Sequence, residues 1–121
     1  MSGQYTEIVK EMLAAADAMD GEKYLSFYSD DVVYRFGNSP VLYGRQAIID
    51  SSGSFFENVK AVKHDIKAIW EVGDTVLVDM DVNYTLRDGK EFSLPCCDRF
   101  RINGDKVQEM QIYMDITPVF G

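Results

Sequence analysis

Two polar residues occur where the sequence pattern otherwise places apolar side chains on the inner face of a sheet. Asp98 lies between Cys96 and Phe100 in an alternating segment, and His64, the sole histidine, occupies an equivalent inner position in segment 60–71. Burial favours the neutral form of a carboxyl group, and an imidazole titrates near neutral pH. Together they predict general acid–base chemistry, with Asp98 as the acid or acid–base group and His64 as its partner.

Each of the two residues also has a plain structural interpretation. Asp98 could form a structural hydrogen bond with Tyr34 or Tyr84, or a bulge could turn it outward. An inward histidine is often bonded to a hydroxyl or carbonyl group in a core. If residue 64 pairs with residue 82, His64 and Asp98 lie two strands apart. Their backbones are then roughly 10 Å apart, plus a stagger of about one residue pair. Both side chains would reach a substrate held between them rather than each other.

The remaining pocket residues are predicted to bind and orient a small, apolar, carbonyl-containing molecule. Tyr34, Tyr84 and Asn38 would supply hydroxyl or amide groups, and Cys96 faces inward without a basic neighbour that would make it a nucleophile. The other predicted substrate-binding side chains are apolar, and they are Phe36, Phe55, Phe56, Met80, Ile112 and Met114.

The spacing of apolar residues, which indicates the elements that position these groups, changes near residue 59. Before it, apolar residues 5–16 recur at helical spacing and predict a first helix, which Gly21 ends. A short second helix is predicted over 24–28 and a strand over Val32–Phe36, and a third helix is predicted after Gly44. After it, alternation predicts four strands separated by tight turns, namely 60–71, 75–87, 91–102 and 106–116. Helices followed by a meander indicate a single α+β domain over 1–121.

Alternation also assigns the two faces of the sheet. In the first long strand it places Val62, His64, Ile66, Ala68 and Trp70 inside and Glu71 outside. The outer faces of the last three strands carry a mixture of charges and an aromatic side chain, namely Asp79, Asp81, Asn83, Arg99, Arg101, Gln111, Tyr113 and Asp115. Such a mixture on one face predicts a homodimer formed through the convex surface of the sheet.

Charge and composition exclude several classes of partner. The chain has 121 residues and a net charge of −8, which disfavours nucleic acid and anionic membranes. Nucleotide-binding and zinc-ligand spacings are absent, so no cofactor and no metal are expected. The adjacent Cys96 and Cys97 are poor disulfide partners, and residues 1–10 show no secretion signal, so a cytoplasmic location is expected.

Several motifs in this order resemble the nuclear transport factor 2-like superfamily, and most closely its SnoaL-like, polyketide cyclase-like branch. They are the stretches 27–32, 42–45, 72–76, 94–101 and 111–115, FYSDDV, LYGR, VGDTV, LPCCDRFR and QIYMD. The resemblance implies a cone, in which a curved mixed sheet wraps around three N-terminal helices and encloses an apolar pocket. Members of this fold include cyclases, isomerases, dehydratases, epoxide hydrolases and non-catalytic binders.

A comparison with ketosteroid isomerase, a distant relative, narrows the expected function. An ungapped alignment on residues 28–31 places Phe36 at the position of that enzyme's proton-shuttling carboxylate and Ala14 near its oxyanion-hole tyrosine. Asp98 falls on its oxyanion-hole aspartic acid. The Asp-Arg-Asp arrangement of limonene epoxide hydrolase needs an inward arginine, whereas Arg99 and Arg101 point outward. We therefore expect a cofactor-independent cyclase or isomerase, or alternatively a non-catalytic module for hydrophobic ligands or assembly.

Overall fold

The computed structural model describes residues 4–120, without the side chains of Ser54, Phe56 and Phe120. The elements in chain order are the helices α1 (Gln4–Asp17) and α2 (Gly21–Ser26), the strands β1 (Tyr28–Phe36) and β2 (Leu42–Tyr43), the helices α3 (Arg45–Ser51) and α4 (Gly53–Asn58), the strands β3 (Val59–Val72), β4 (Thr75–Leu86), β5 (Glu91–Asn103) and β6 (Lys106–Tyr113), and the short helix α5 (Thr117–Phe120). The predicted α+β class is confirmed.

All six strands belong to one curved, unclosed sheet with the order β2-β1-β6-β5-β4-β3. Strands β3 to β6 form the predicted antiparallel meander, and β1 joins it by pairing parallel to β6, so the sheet is mixed. Gly73 and Gly104, in the turns after β3 and β5, have φ values of 61° and 67°, a backbone conformation that side chains with a Cβ rarely adopt. These turns set the register that brings the functional residues to one face.

The hydrophobic core lies between the concave face of the sheet and α1. The inner residues of β4 predicted from alternation are all buried, and in β5 Cys96, Asp98, Phe100 and Ile102 are buried. From α1, Val9, Met12 and Leu13 pack against them. Burying such side chains stabilises the fold by roughly 1.5–3 kcal/mol each, so this face is strongly specified.

Strand β3 departs from strict alternation at two points, between Val59 and Ala61 and between Ile66 and Ala68, and the second one changes the predicted faces. Ile66 pairs with Met80 and Ala68 with Asp79, so Lys67 is an extra residue, a β-bulge. Beyond it the faces exchange, and the inward prediction for Ala68 and Trp70 is wrong. The Trp70 side chain is 52% exposed. The residues that face inward after the bulge are Ile69 and Glu71, and the outward prediction for Glu71 is also wrong.

The inward turn of Glu71 has a structural role at the start of α1. Its carboxylate Oε1 accepts hydrogen bonds from the backbone N–H and the hydroxyl of Thr6, each 2.9 Å long. The first turn of a helix has N–H groups without partners in the helix, and a carboxylate there is favourable. Strand β3 therefore holds the beginning of α1, and the site described below shows that it also holds the end.

The N-terminal half differs from the sequence prediction in its boundaries. Strand β1 begins at Tyr28, which pairs with Val107, so Tyr28 is the first residue of a strand rather than part of a helix. The predicted third helix is two helices, because α3 ends at Ser51 and α4 begins at Gly53. Strand β2 and helix α5 were not predicted; both are short, and neither shows a clear period.

Candidate functional site

A cavity of about 520 Å³ opens between the concave face of the sheet and helices α1 to α4. This volume is in the range of small-molecule binding sites. Its wall is mainly apolar, with Leu13 and Ala16 from α1, Ile48 from α3 and Val62 and Val82 from the sheet. The polar side chains among the described lining residues are few, and they are Asp20, Tyr24, Tyr34, Ser39, Ser51, Ser52, His64, Tyr84, Cys96 and Asp98.

Most of the predicted pocket residues meet in this cavity. Nine of them line it, namely Tyr34, Phe36, Phe55, His64, Tyr84, Cys96, Asp98, Ile112 and Met114. Two predicted residues do not. Asn38 is exposed in the β1–β2 turn and lines a separate cleft, while its neighbour Ser39 reaches the main cavity. Met80 is buried in the core rather than at the cavity wall. The Phe56 side chain lies outside the described residues.

Asp98 is the buried acid of the site. In β5 it pairs with Val78 on one side and Ile112 on the other, and it is 2% exposed. Its Oδ1 accepts a hydrogen bond from the Cys96 thiol, 3.2 Å away, rather than from a tyrosine. Burial raises the pKa of Asp98 to about 6, because the thiol hydrogen bond and His64 offset only part of the desolvation of the carboxylate. Asp98 is therefore poised to exchange a proton close to neutral pH.

His64 is held by a carboxylate that sequence reasoning missed. The last residue of α1, Asp17, accepts two hydrogen bonds at Oδ1 from His64, 2.9 Å from the backbone nitrogen and 2.6 Å from Nδ1. The Lys63 ammonium lies 3.6 Å from the other oxygen, Oδ2. Both members of the pair are largely buried, with side chains 14% and 16% exposed for His64 and Asp17.

This pairing determines which ring nitrogen is available for chemistry. With Nδ1–H donated to Asp17, the tautomer assigned from the hydrogen bond leaves the Nε2 lone pair free, on a residue that lines the cavity. The signal for Asp17 was present in the sequence. It lies four residues after Leu13 on the apolar stripe of α1, at a helix C-terminus where a carboxylate is electrostatically unfavourable without a partner.

The predicted pairing of His64 with Val82 is confirmed, but the stagger is larger than expected. Val82 pairs with Leu94, which lies four residues before Asp98. Four residues of strand correspond to about 13 Å along the sheet, in addition to the two strand spacings across it. The two groups therefore face one cavity from different positions, and a ligand between them would contact each with a different atom.

Four phenols, those of Tyr24, Tyr28, Tyr34 and Tyr84, surround Asp98 in addition to these groups. Tyr24, which sequence reasoning assigned only to a helix, lines the cavity and bonds to the Tyr28 hydroxyl at 2.6 Å, which in turn donates to the sulfur of Met110. Burial raises the pKa of Tyr24 to about 12 and those of Tyr34 and Tyr84 further above their usual value. The phenols thus remain neutral hydrogen-bonding groups at every pH at which the protein works.

Two further findings concern the described residues as a whole. None of their His, Cys, Asp and Glu side chains forms a group of three or more that could hold a metal ion. Across the described part of the chain, every helix is too short or too polar to cross a membrane.

Comparison with known proteins defines the family. Residues 9–110 match the model of the SnoaL-like domain, so the chain belongs to the SnoaL-like family. The predicted resemblance is confirmed. No curated protein is significantly similar to the sequence.

Solved structures confirm the cone fold. A nuclear transport factor 2-like protein of unknown function from Burkholderia pseudomallei superposes with a TM-score of 0.85 at 14% identity, over 96% of this chain and 97% of that one. A SnoaL-like protein from Jannaschia sp. CCS1, classed with the polyketide cyclases, gives 0.81 at 17% identity, over 95% and 88%. An LEH-like epoxide hydrolase from M. tuberculosis gives 0.80 at 18% identity, over 94% and 84%. At these identities the similarity establishes the fold alone.

Proposed function

We propose that this protein is a cofactor-independent enzyme that moves a proton on a small, apolar carbonyl compound, in a reaction of the isomerase or cyclase type. One observation carries the proposal. One apolar cavity contains the buried carboxyl of Asp98, with a pKa of about 6, and the imidazole of His64. The Asp17 carboxylate bonds to Nδ1 of this imidazole and so leaves Nε2 available. A proton donor and a proton acceptor in one desolvated cavity are the arrangement that acid–base catalysis requires.

The proposed reaction begins at His64. Its Nε2 takes a proton from the carbon next to the carbonyl group, and the C–H electron pair moves to the carbonyl oxygen to give an enolate. Asp17 stabilises the imidazolium that forms, as a carboxylate bonded to Nδ1 does in other acid–base sites. The step transfers one proton and leaves the oxidation state of the substrate unchanged.

Asp98 acts at the substrate oxygen. In its protonated form it donates a hydrogen bond or its proton to the developing enolate, and this interaction is stronger in a cavity that excludes water. Return of the proton from His64 to another carbon of the conjugated system completes an isomerisation, and any proton that Asp98 gave to the oxygen goes back to Asp98 as the carbonyl re-forms. Attack of the enolate carbon on a second carbonyl in the same molecule instead forms a C–C bond, and the resulting alkoxide takes the proton from His64, which completes a cyclisation. An apolar ligand that displaces water would raise the pKa of Asp98 further, which favours the protonated form in the complex.

The lining residues argue against the other reactions of the fold. No arginine or lysine occurs among the described lining residues, so the arginine-containing arrangement of limonene epoxide hydrolase is not formed. Arg101 instead lies on the outer face, where it donates to Glu109 at 2.7 Å. Phe36 lines the cavity where ketosteroid isomerase has its carboxylate, and this residue favours the alternative of a non-catalytic binding protein.

An exchange experiment distinguishes the enzyme from the binder. In D₂O the protein should catalyse exchange of the acidic α-protons of 2-tetralone, a neutral bicyclic ketone, for deuterium. Proton NMR of the ketone measures the rate without knowledge of the natural substrate. Because the reaction needs protonated Asp98 in the free protein, kcat/KM for exchange should fall as the pH rises above about 6.

The matched control is Asp79→Asn, an exposed carboxylate on the outer face of β4. It should exchange 2-tetralone as fast as the wild type. Saturable binding of the ketone without exchange above the buffer rate would reject the enzyme and support the non-catalytic alternative.

We also propose that two copies pair through the outer face of the sheet. Trp70 and Tyr113 are 52% and 53% exposed there, and both lie on strands of the meander. The arginines expected to meet aspartates of a partner instead pair within one copy, Arg101 and Arg99 both with Glu109. Burial of these two aromatic side chains is therefore the interaction expected to stabilise a dimer.

Sedimentation at micromolar concentration tests the dimer. The expected mass is twice 13.7 kDa, and Tyr113→Glu should reduce it to one copy. Tyr43→Glu, at an exposed tyrosine on the edge strand β2, is the control and should leave the mass unchanged. A single-copy mass for the wild type would refute the pairing.

A further inference from the structure

Among the described residues, no lysine or arginine lies beside the Asp98 carboxylate. Its described hydrogen-bond donor is the neutral thiol of Cys96, and the described residues that line the cavity include neither lysine nor arginine. The nearest group that can carry a positive charge is His64 on β3, which is already bonded to the Asp17 carboxylate. The other described groups whose titration is coupled to the Asp98 charge are the neighbouring thiol of Cys97 and phenols from α2, β1 and β4, namely Tyr24, Tyr28, Tyr34 and Tyr84.

An ionised carboxylate in this apolar cavity lacks a compensating positive charge. Buried charges in proteins are normally paired, because the loss of hydration is otherwise uncompensated. The described lining residues include no lysine or arginine, and His64 is already bonded to Asp17, but the wall can accommodate a positive charge. Aromatic rings present a negative face to cations, and Tyr24, Tyr34, Phe36 and Tyr84 line the same cavity. The net charge of −8 adds a field that attracts cations towards the protein.

We propose that the cavity also binds a small hydrophobic ammonium ion, with the Asp98 carboxylate as its counter-ion and the aromatic side chains packed around its alkyl groups. This ligand class differs from that of the proposed reaction, since the carbonyl compound needs the protonated acid and the cation needs the ionised one. The inference does not require the protein to be an enzyme.

The two protonation states predict opposite pH dependences for the two ligand classes. With a pKa of about 6, the ionised fraction of Asp98 rises about tenfold between pH 5 and pH 7. The affinity for a permanent cation should rise by the same factor over this interval. The affinity for a neutral ligand of the same shape should stay constant or fall, because ionisation adds a charge that the ligand would desolvate.

Phenyltrimethylammonium and tert-butylbenzene form a matched pair of probes for this test. They have nearly the same shape and neither titrates, so any pH dependence belongs to the protein. Their dissociation constants are measured by NMR chemical-shift titration of the full chain at pH 5 and pH 7. We expect the cation to bind about tenfold more tightly at pH 7 and tert-butylbenzene not to do so.

Two variants locate the counter-ion. Asp98→Asn should remove the pH dependence and weaken binding of the cation at pH 7. Asp79→Asn removes an exposed carboxylate on the outer face of β4, away from the cavity, and should change nothing.

Three outcomes would overturn the proposal: no preference for the cation over tert-butylbenzene at pH 7, a pH dependence that survives in Asp98→Asn, or one that disappears in Asp79→Asn. If Asp98→Asn does not fold, the comparison of the two probes on the wild type still decides. Failure of the cation to bind leaves exchange of 2-tetralone unaffected, and the reverse also holds, so the two proposals fail separately.

Discussion

Replacing Asp98 with asparagine should make the protein more stable at neutral pH while it removes catalysis. The pKa of Asp98 is raised from 3.8 to about 6 in the folded state, a change of about two units, and each unit corresponds to about 1.4 kcal/mol. Ionising this carboxylate therefore costs about 3 kcal/mol more in the folded protein than in the unfolded chain. Asparagine has nearly the same shape and carries no charge at any pH.

The direction of the pH dependence follows from the raised pKa. Between about pH 4 and pH 6 the folded state binds more protons at Asp98 than the unfolded state, so this residue's contribution to stability falls as the pH rises and is constant above that interval. Wild type and Asp98→Asn should unfold at similar urea concentrations at pH 4. Above pH 7 the variant should be the more stable by up to about 3 kcal/mol.

Urea unfolding at several pH values, together with exchange of 2-tetralone, measures both halves of this prediction. Exchange should fall by at least about 100-fold in the variant, the usual contribution of a positioned acid. Asp79→Asn, on the solvent side of the sheet, should change stability by less than about 0.5 kcal/mol. Loss of stability in Asp98→Asn at pH 7 would show that the carboxylate is a structural partner and would exclude its role as the acid.

The second large effect is expected from Asp17→Asn. The amide cannot stabilise an imidazolium as a carboxylate does, and it can hold the ring in the wrong tautomer by donating to Nδ1. In comparable acid–base pairs this substitution lowers the rate by up to about 10⁴-fold. Since Asp17 is not among the residues that line the cavity, kcat for exchange should fall while KM for 2-tetralone stays the same.

Lys63→Met is the control for this substitution. It removes the ammonium group 3.6 Å from the outer oxygen of Asp17 but leaves both hydrogen bonds to His64 in place. The Lys63 side chain is 73% exposed, so its loss should have little effect on exchange. An equal loss of kcat in both variants, or a change confined to KM in Asp17→Asn, would contradict the positioning role of Asp17.

The parts of this structure that could be predicted from sequence are those governed by a regular period. Alternation over β4 and β5 identified the buried face, and with it Asp98, because one face of each strand is packed and the other is not. The turn residues after those strands gave the order of the meander. The pairing of His64 with Val82 followed from the first hairpin and is confirmed.

The errors arise where that regularity is interrupted or is insufficient. The extra residue at Lys67 has no distinctive signature in the sequence. It nevertheless moves each later side chain of β3 to the face of the sheet opposite to the predicted one. Alternation places Met80 on the inner face, but it does not show which part of that face is covered by core and which by the cavity. Asp17 was missed because only the apolar residues were used to define the stripe of α1. Its partner His64 is distant in sequence, and the two residues meet only in the folded chain.

The bulge at Lys67 divides β3 into two halves with different structural roles. The half before it carries His64 at the cavity, and the half after it carries Glu71, which binds the start of α1. A deletion of one residue there would restore alternation, move Trp70 towards the core and turn Glu71 away from Thr6. Because the half before the bulge keeps its own pairing with β4, His64 with Val82, such a deletion would loosen the start of α1 while His64 stays at the cavity.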